Sequence, residues 1–440
     1  MTYKMNLCFS LLVLSLFLTT TLFVAALDAK PEQIHLSYGK SPNEIIVTWV
    51  TFDPTNISTV EYGPLPNVTN KVKFGTVSKF VDGGYKKRVL WIHKVVLDDL
   101  VPGSEYVYYC GSTDGWSTMY EFTALKNGTD WSPTLVVYGD LGSKNARSLP
   151  QVQEEVQRGL YDAVLHVGDI AYNLDSNNAR VGDEFMRQIE PIAARIPYQV
   201  CVGNHEKAYN FSNYVNRFNM MNQDGEINNH FYSFDIGPAH IIAFSTEFYY
   251  YTKYGSAQIA NQYNWLENEL KKANLPENKI KHPWIITMGH RPMYCSSVGF
   301  IIQSRTHCTK KDSKIRKVLE DLFYKYGVDL EIWGHQHNYE RSWPVYNLKV
   351  YNGSYDAPYT NPKAPVHIIT GSAGCKEMFN TFVHNPGEWS AARFSDYGFT
   401  RLNIINKTHL YTEQVSVDRN GTVIDTMLLI KDKHGPEAWL

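Results

Sequence analysis

A chain of 440 residues, 43% apolar and 20% charged, has material for a large buried core in two or three domains and too much apolar content for disorder. Its formal net charge of −2, from 42 basic and 44 acidic residues, excludes a surface that binds nucleic acid through excess cation, although one small phosphate could still be held locally. Thirty tyrosines within an aromatic content of 14% favour strands.

Lys4 precedes an apolar run from Leu7 to Ala26 that ends Val24-Ala25-Ala26. A basic start, an apolar middle and small residues at the end predict a secretory signal over 1–26, cut after Ala26. An uncleaved anchor is the competing reading, but Thr19-Thr20-Thr21 dilutes the run. No later stretch approaches spanning length, and the C-terminus lacks the tail of a lipid-anchored protein, so no membrane association is expected after cleavage. Seven Asn-x-Ser/Thr sequons follow, at Asn56, Asn67, Asn127, Asn210, Asn352, Asn406 and Asn420. On a secretory chain they predict N-glycans on surface loops, and an extracellular or lysosomal destination. Of the five cysteines past the signal, Cys295 and Cys308 bracket a short loop and are the expected disulfide. The odd count leaves at least one free thiol, with Cys201, inside an apolar strand, the first choice.

Residues 30–125 read as an all-β domain. Ile45 to Val50 is a strand, and Pro31, Pro54, Pro64, Pro66 and Gly83-Gly84 punctuate the rest. Leu100 to Tyr108 has the form of the corner of a fibronectin type III sandwich, with Tyr106 as the tyrosine whose hydroxyl bonds back to the backbone; a generic Pro-Gly turn is the alternative. No chemistry is visible here, so this domain is expected to be scaffold or substrate rim.

Residues 130–435 read as α/β. Strands are predicted at Leu135–Tyr138, Ala163–Val167, Tyr198–Val202, His240–Phe244, Trp284–Met288, Val328–Trp333 and Val366–Ile369. Helices are predicted at Ser148–Leu160, Asp183–Ala194, Asn261–Ala273 and Lys314–Tyr326; the last carries its apolar residues on one face, which is core packing. The tail from Phe399 to Leu429 alternates as antiparallel strands do.

Five of these strands end in Gly followed by a ligand-type residue: Gly139-Asp140-Leu141-Gly142, Gly168-Asp169-Ile170-Ala171-Tyr172, Gly203-Asn204-His205-Glu206, Gly289-His290 and Gly334-His335-Gln336-His337. Functional groups gather beyond the carboxyl ends of strands in α/β sheets. Carboxylates, an amide oxygen, imidazoles and a phenol suit Fe, Zn or Mn rather than soft metals. So many donors exceed one tetrahedral ion and fit two ions about 3.5–4 Å apart that share a bridging carboxylate. Each motif alone is an ordinary turn; the ordered set is not.

That ordered set resembles the metallophosphoesterase superfamily, and the Tyr of Gly-Asp-x-x-Tyr narrows the resemblance to the purple acid phosphatases, in particular the larger animal type. It covers nearly the whole mature chain. The resemblance implies an α/β catalytic domain, β-sheets sandwiched between helices, preceded by an all-β fibronectin type III-like sandwich. It implies Fe(III) held by Asp140, Tyr172 and His337, a divalent Fe, Zn or Mn held by Asn204, His290 and His335, and Asp169 bridging the two. His205 is similar to the family histidine that orients phosphate and protonates the leaving alkoxide. Two departures stand out: Thr287 replaces the usual Val before His290, and the plant enzymes' histidine pair has no counterpart in Ser296 to Phe300, leaving His307 as a weak substitute. The implied activity is hydrolysis of small phosphate monoesters at acidic pH by a metal-bound hydroxide. The rivals are a diester- or nucleotide-hydrolysing relative and a non-catalytic metal-binding secreted glycoprotein.

Overall fold

Trp49, Tyr62, Tyr106 and Tyr108 are each at most 1% exposed, and they come from two antiparallel sheets that face each other across one core. The computed structural model describes residues 28–66, 70–298, 308 and 313–439, so the predicted signal, Asn67 and His307 lie outside the described residues. One sheet orders the strands Glu32–Tyr38, Ile45–Thr51, Val89–Leu97 and Thr76–Val81; the other is built on Thr59–Pro64 and Glu105–Ser112. The backbone N–H of Val101 donates to the Tyr106 hydroxyl at 2.8 Å, which is the predicted corner.

The sandwich is fastened to the α/β part by polar contacts. Glu190, on the helix Ser176–Ala193, accepts from the backbone N–H groups of Gln33 (2.6 Å) and Ile34 (3.2 Å). The Tyr108 hydroxyl donates to the Ala194 carbonyl at 2.7 Å, and buried Arg217 reaches both Gln33 and Asp183 at 2.9 Å. Charged groups with this many partners fix orientation as well as contact.

The α/β part is not one open sheet. A six-stranded sheet runs Tyr198–Cys201, Ala163–Val167, Thr134–Tyr138, Gly398–Ile404, His409–Ser416, Thr422–Ile430, its first three strands parallel. A seven-stranded sheet runs Tyr232–Ile236, Ala239–Ala243, Trp284–Gly289, Leu330–Trp333, Val366–Thr370, Tyr339–Ser342, Ser390–Phe394. Period-two alternation splits the second sheet's side chains between two cores. Ile241, Ile286, Ile332 and Ile368 pack toward the first sheet, whereas Ile242, Ile285, Trp333 and Ile369 pack under the helix Ala257–Ala273 and the helical stretch 314–325. The first three motif strands therefore belong to one sheet and the last two to the other.

Some elements differ from expectation. The helix predicted from Asp183 lies in the span Ser176–Ala193, whose start is a left-handed turn through Asn177, Asn178 and Ala179, so the regular helix begins after Ala179. The stretch predicted as one regular helix widens to a π-turn over Arg316–Glu320. Tyr232–Ile236, Tyr339–Ser342 and Ser390–Phe394 lie outside the predicted strands, because polar residues interrupt the continuous apolar run by which short buried strands are read. Cys295 and Cys308 are bonded, while Cys110 and Cys375 join Cys201 as free, buried thiols. All six described sequon asparagines are exposed. Among the described residues, no helix is long and apolar enough to cross a membrane.

An ion cluster lies near the edge of the seven-stranded sheet. His240 sits 2.7 Å from Asp235 and 3.4 Å from Glu269, with His282 (3.6 Å) and Lys272 (3.3 Å) flanking the two carboxylates. Burial would lower the His240 pKa, but the two carboxylates outweigh it and hold it up at about 9. Burial would raise Glu269, but His240 holds it down at about 2. The histidine's contribution is full below its unfolded pKa of about 6.5 and is lost as pH rises through about 9; the carboxylate's is full above about 4.5 and is lost as pH falls toward 2. His240→Asn should therefore cost on the order of 3 kcal/mol near pH 5.5 and much less near pH 10. Thermal unfolding of both proteins at the two pH values checks this, and an equal loss at both would contradict it.

Candidate metal centre

The five motif loops meet where the strand ends of the two sheets come together. Close approach explains the glycines at two of them. Gly168 has φ 82°, and a Cβ there would stand 2.6 Å from His290 Nδ1; a Cβ at Gly203 would collide with Asp169. Four predicted ligand residues adopt left-handed backbone themselves: Asp140 (φ 58°), Asp169 (49°), Tyr172 (56°) and His335 (69°). Each such non-glycine residue costs on the order of 1 kcal/mol or more and persists only where its surroundings hold it. Here Glu206 does much of the holding, accepting from the N–H groups of Asp169 (3.0 Å), Ile170 (2.9 Å) and Gly203 (2.9 Å). The His335 N–H donates to Asp140 Oδ2 at 2.8 Å, and the His205 N–H donates to Asp169 Oδ1 at 2.7 Å.

All eight predicted site residues come together, in two adjacent groups. In the first, the Tyr172 hydroxyl lies 2.9 Å from Asp140 Oδ1 and 2.6 Å from His337 Nε2, which is itself 3.4 Å from Asp140 Oδ1. In the second, His290 Nε2 lies 3.1 Å from Asp169 Oδ2 and 3.3 Å from Asn204 Oδ1, and Asp169, His290 and His335 offer ligand atoms within 4.8 Å of one another. Each group takes residues from both sheets. His205 lies at the side of both: its ring is 4.3 Å from that of Tyr172, its Nδ1 is 2.8 Å from Asn173 Oδ1, and its Nε2 is 3.9 Å from Asp169 Oδ2 and 3.5 Å from Glu377.

The donor set fits metal cations. His290 Nδ1 lies 3.0 Å from the Val167 carbonyl and His337 Nδ1 lies 3.1 Å from the Met378 carbonyl, so each ring donates there and turns the lone pair of Nε2 inward. Burial, together with the Asp140 and Asp169 carboxylates, pushes the Tyr172 phenol well above its ordinary value, so a phenolate there requires a cation beside it. Burial pushes Asp169 upward as well, but His290 and His205 overcome it and hold that carboxyl well below the usual range. Burial, with Arg291 and His290 nearby, keeps the His335 ring neutral. Buried carboxylates and inward lone pairs at 0–8% exposure are costly unless cations compensate them.

Several supporting residues carried no motif. Glu247 receives the Arg291 Nε at 2.9 and 3.0 Å, and Arg291 Nη1 then donates to His335 Nε2 at 3.0 Å. Arg291, which directly follows His290 in the chain, is thus committed to orienting the His335 ring. Cys375 lies 3.7 Å from His337 Nδ1, and the Asn380 side chain receives the His337 N–H at 2.5 Å. Only Glu206 lay inside a motif. Ser296 and Ser297 are buried against Glu340 and Gln336, at 2.6 and 2.7 Å. Thr287 is also fully buried, and His290 is in place beside it.

Three family models match the chain: the purple acid phosphatase N-terminal domain over residues 31–124, the calcineurin-like phosphoesterases over 133–339, and the iron/zinc purple acid phosphatase-like protein C over 364–426. Acid phosphatase type 7 of Mus musculus is 53% identical over 413 residues, covering 91% of each chain. The Fe(3+)-Zn(2+) purple acid phosphatase 12 of Arabidopsis thaliana is 30% identical over 419 residues, covering 91% of this chain and 84% of its own. The solved structure of a purple acid phosphatase from yellow lupin (Lupinus luteus) seeds superposes with a TM-score of 0.76 at 25% identity, covering 92% of this chain and 75% of that one.

Proposed function

The chain belongs to the purple acid phosphatase family of metal-dependent phosphatases, and on that premise we propose that it is a secreted enzyme hydrolysing small phosphate monoesters at acidic pH at a binuclear Fe(III)–M(II) centre. The observation that carries this reading is the division of the donors into two touching groups, Asp140–Tyr172–His337 and Asn204–His290–His335, with Asp169 beside the second. The first would hold Fe(III), the second Zn, Fe or Mn, with Asp169 between them. Bound there, the two cations would neutralise the dianionic ester and make hydroxide available from water below neutral pH.

The remaining work falls to side chains. Asn173 anchors His205 Nδ1, which leaves Nε2 as the atom that meets the phosphate and passes a proton to the leaving alkoxide. Arg291, clamped by Glu247, keeps the His335 ring from rotating. The exposed sequons and the Cys295–Cys308 bond support a secretory route, and the small net charge supports small substrates over nucleic acid.

The substrate class is tested by kcat/KM on paired aryl monoester and diester substrates across pH 4–8. A monoester preference of about a hundredfold or more is expected, since two cations would compensate the doubly charged monoester better than the singly charged diester. A preference for the diester would overturn the substrate assignment while leaving the family intact.

A further inference from the structure

The helix Ala208–Arg217, which comes after His205 in the chain, forms one wall of a second pocket, and none of the proposed metal ligands lines it. Its volume is about 470 Å³, within the range that holds a small organic ligand. The walls are aromatic. Phe211 meets the rings of His230 at 5.3 Å, Tyr254 at 5.9 Å and Tyr251 at 6.2 Å, and Phe248 lies 4.9 Å from His230. Two buried polar atoms of lining residues have no hydrogen-bond partner: Nδ1 of His230 and the hydroxyl of Ser212. An unpaired buried group of this kind costs about 1–3 kcal/mol. Burial also holds the His230 pKa down at about 4, so the ring stays neutral and asks for a hydrogen bond, not a counter-ion. Those two atoms are closed to solvent, so the surface the pocket offers is chiefly aromatic, which suits a sugar whose C–H edges lie on ring faces.

The chain itself presents an attachment point for one. Asn210 lines the pocket, is exposed, and begins the sequon Asn210-Phe211-Ser212. Its φ of 57° places it in a left-handed turn with Tyr209 and Phe211. We propose that an N-linked glycan on Asn210 folds its first sugar back into this aromatic pocket and stabilises the catalytic domain there. The inference rests on the secretory reading above. The linkage forms when Asn210 Nδ2 bonds to the anomeric carbon of a lipid pyrophosphate-linked oligosaccharide, losing a proton as the lipid pyrophosphate leaves. Being tethered, the sugar needs little intrinsic affinity to occupy the site.

The test uses full-length protein from a glycosylating host, with occupancy of each sequon measured by mass spectrometry. Under native conditions, an endoglycosidase should release the Asn210 glycan about tenfold or more slowly than the glycans on Asn127 and Asn420, and at the same rate after denaturation. Asn210→Gln and Ser212→Ala should each lower Tm by about 3 °C or more, and Ser212→Thr, which keeps the sequon, should not. Ser212→Ala is the discriminating variant: it removes an unpaired buried hydroxyl, so without a docked glycan it leaves Tm unchanged or raises it. Equal native release rates, or unaltered Tm in both sequon variants, would overturn the docking. An unmodified Asn210 beside occupied sequons would overturn it as well. Protein with no sequon occupied would instead refute the secretory reading, and the pocket proposal with it.

Discussion

His290→Ala should lower kcat by about three orders of magnitude in protein that still folds. The imidazole is fully buried, its Nδ1 spent on the Val167 carbonyl and its Nε2 aimed between Asp169 and Asn204. Alanine removes a ligand of the proposed divalent site and leaves the Asp169 carboxylate facing a gap. It also leaves the Val167 carbonyl unpaired, so a loss of about 1–3 kcal/mol in stability is expected alongside. Asn204→Ala separates the two effects. That residue is only half-buried, and its removal strands no buried backbone group, yet it takes an oxygen donor from the same site. Both variants should lose activity to a similar degree while only His290→Ala shows a marked drop in Tm. Near-normal turnover by either would contradict the assignment.

The residues of the proposed metal site were legible because each lies in a short motif opened by a glycine at the end of a strand, and such a site would constrain residue type at every one of its positions. Their partition between two sheets was not legible. A strand buried on both faces reads as a continuous apolar run in either arrangement, and nothing in Trp284–Gly289 or Leu330–Trp333 says which sheet it joins. The supporting parts played by Glu247, Arg291, Cys375 and Asn380 were not legible for a related reason. Their roles depend on long-range contacts, such as Arg291 to Glu247 across 44 positions, and a lone Glu or Cys has no spacing to read. Glu206 was visible within its motif, but its three backbone partners were not, since they exist only once the Gly168 and Gly203 loops lie side by side. The Tyr106 corner was legible because its hydrogen bond spans only five residues.

Tyr172→Phe should keep the fold and abolish a visible absorption band. The ring stays packed beside His205 and His337, at 4.3 and 5.7 Å, while the one phenol oxygen within reach of Asp140 is lost. The two other tyrosines that flank the motifs are already engaged. The Tyr138 hydroxyl donates to Tyr198, and the Tyr339 hydroxyl donates to Asp425. If the band arises from phenolate donation to Fe(III), it therefore has a single source among these tyrosines. Metal analysis and the visible spectrum of pure protein never exposed to chelator, wild type and Tyr172→Phe side by side, test the binuclear centre most directly. The expected result is close to two metal ions per wild-type chain, at least one of them iron, with a band that the variant lacks. One ion or none in the wild type, or an unchanged band in folded, iron-loaded Tyr172→Phe, would contradict it.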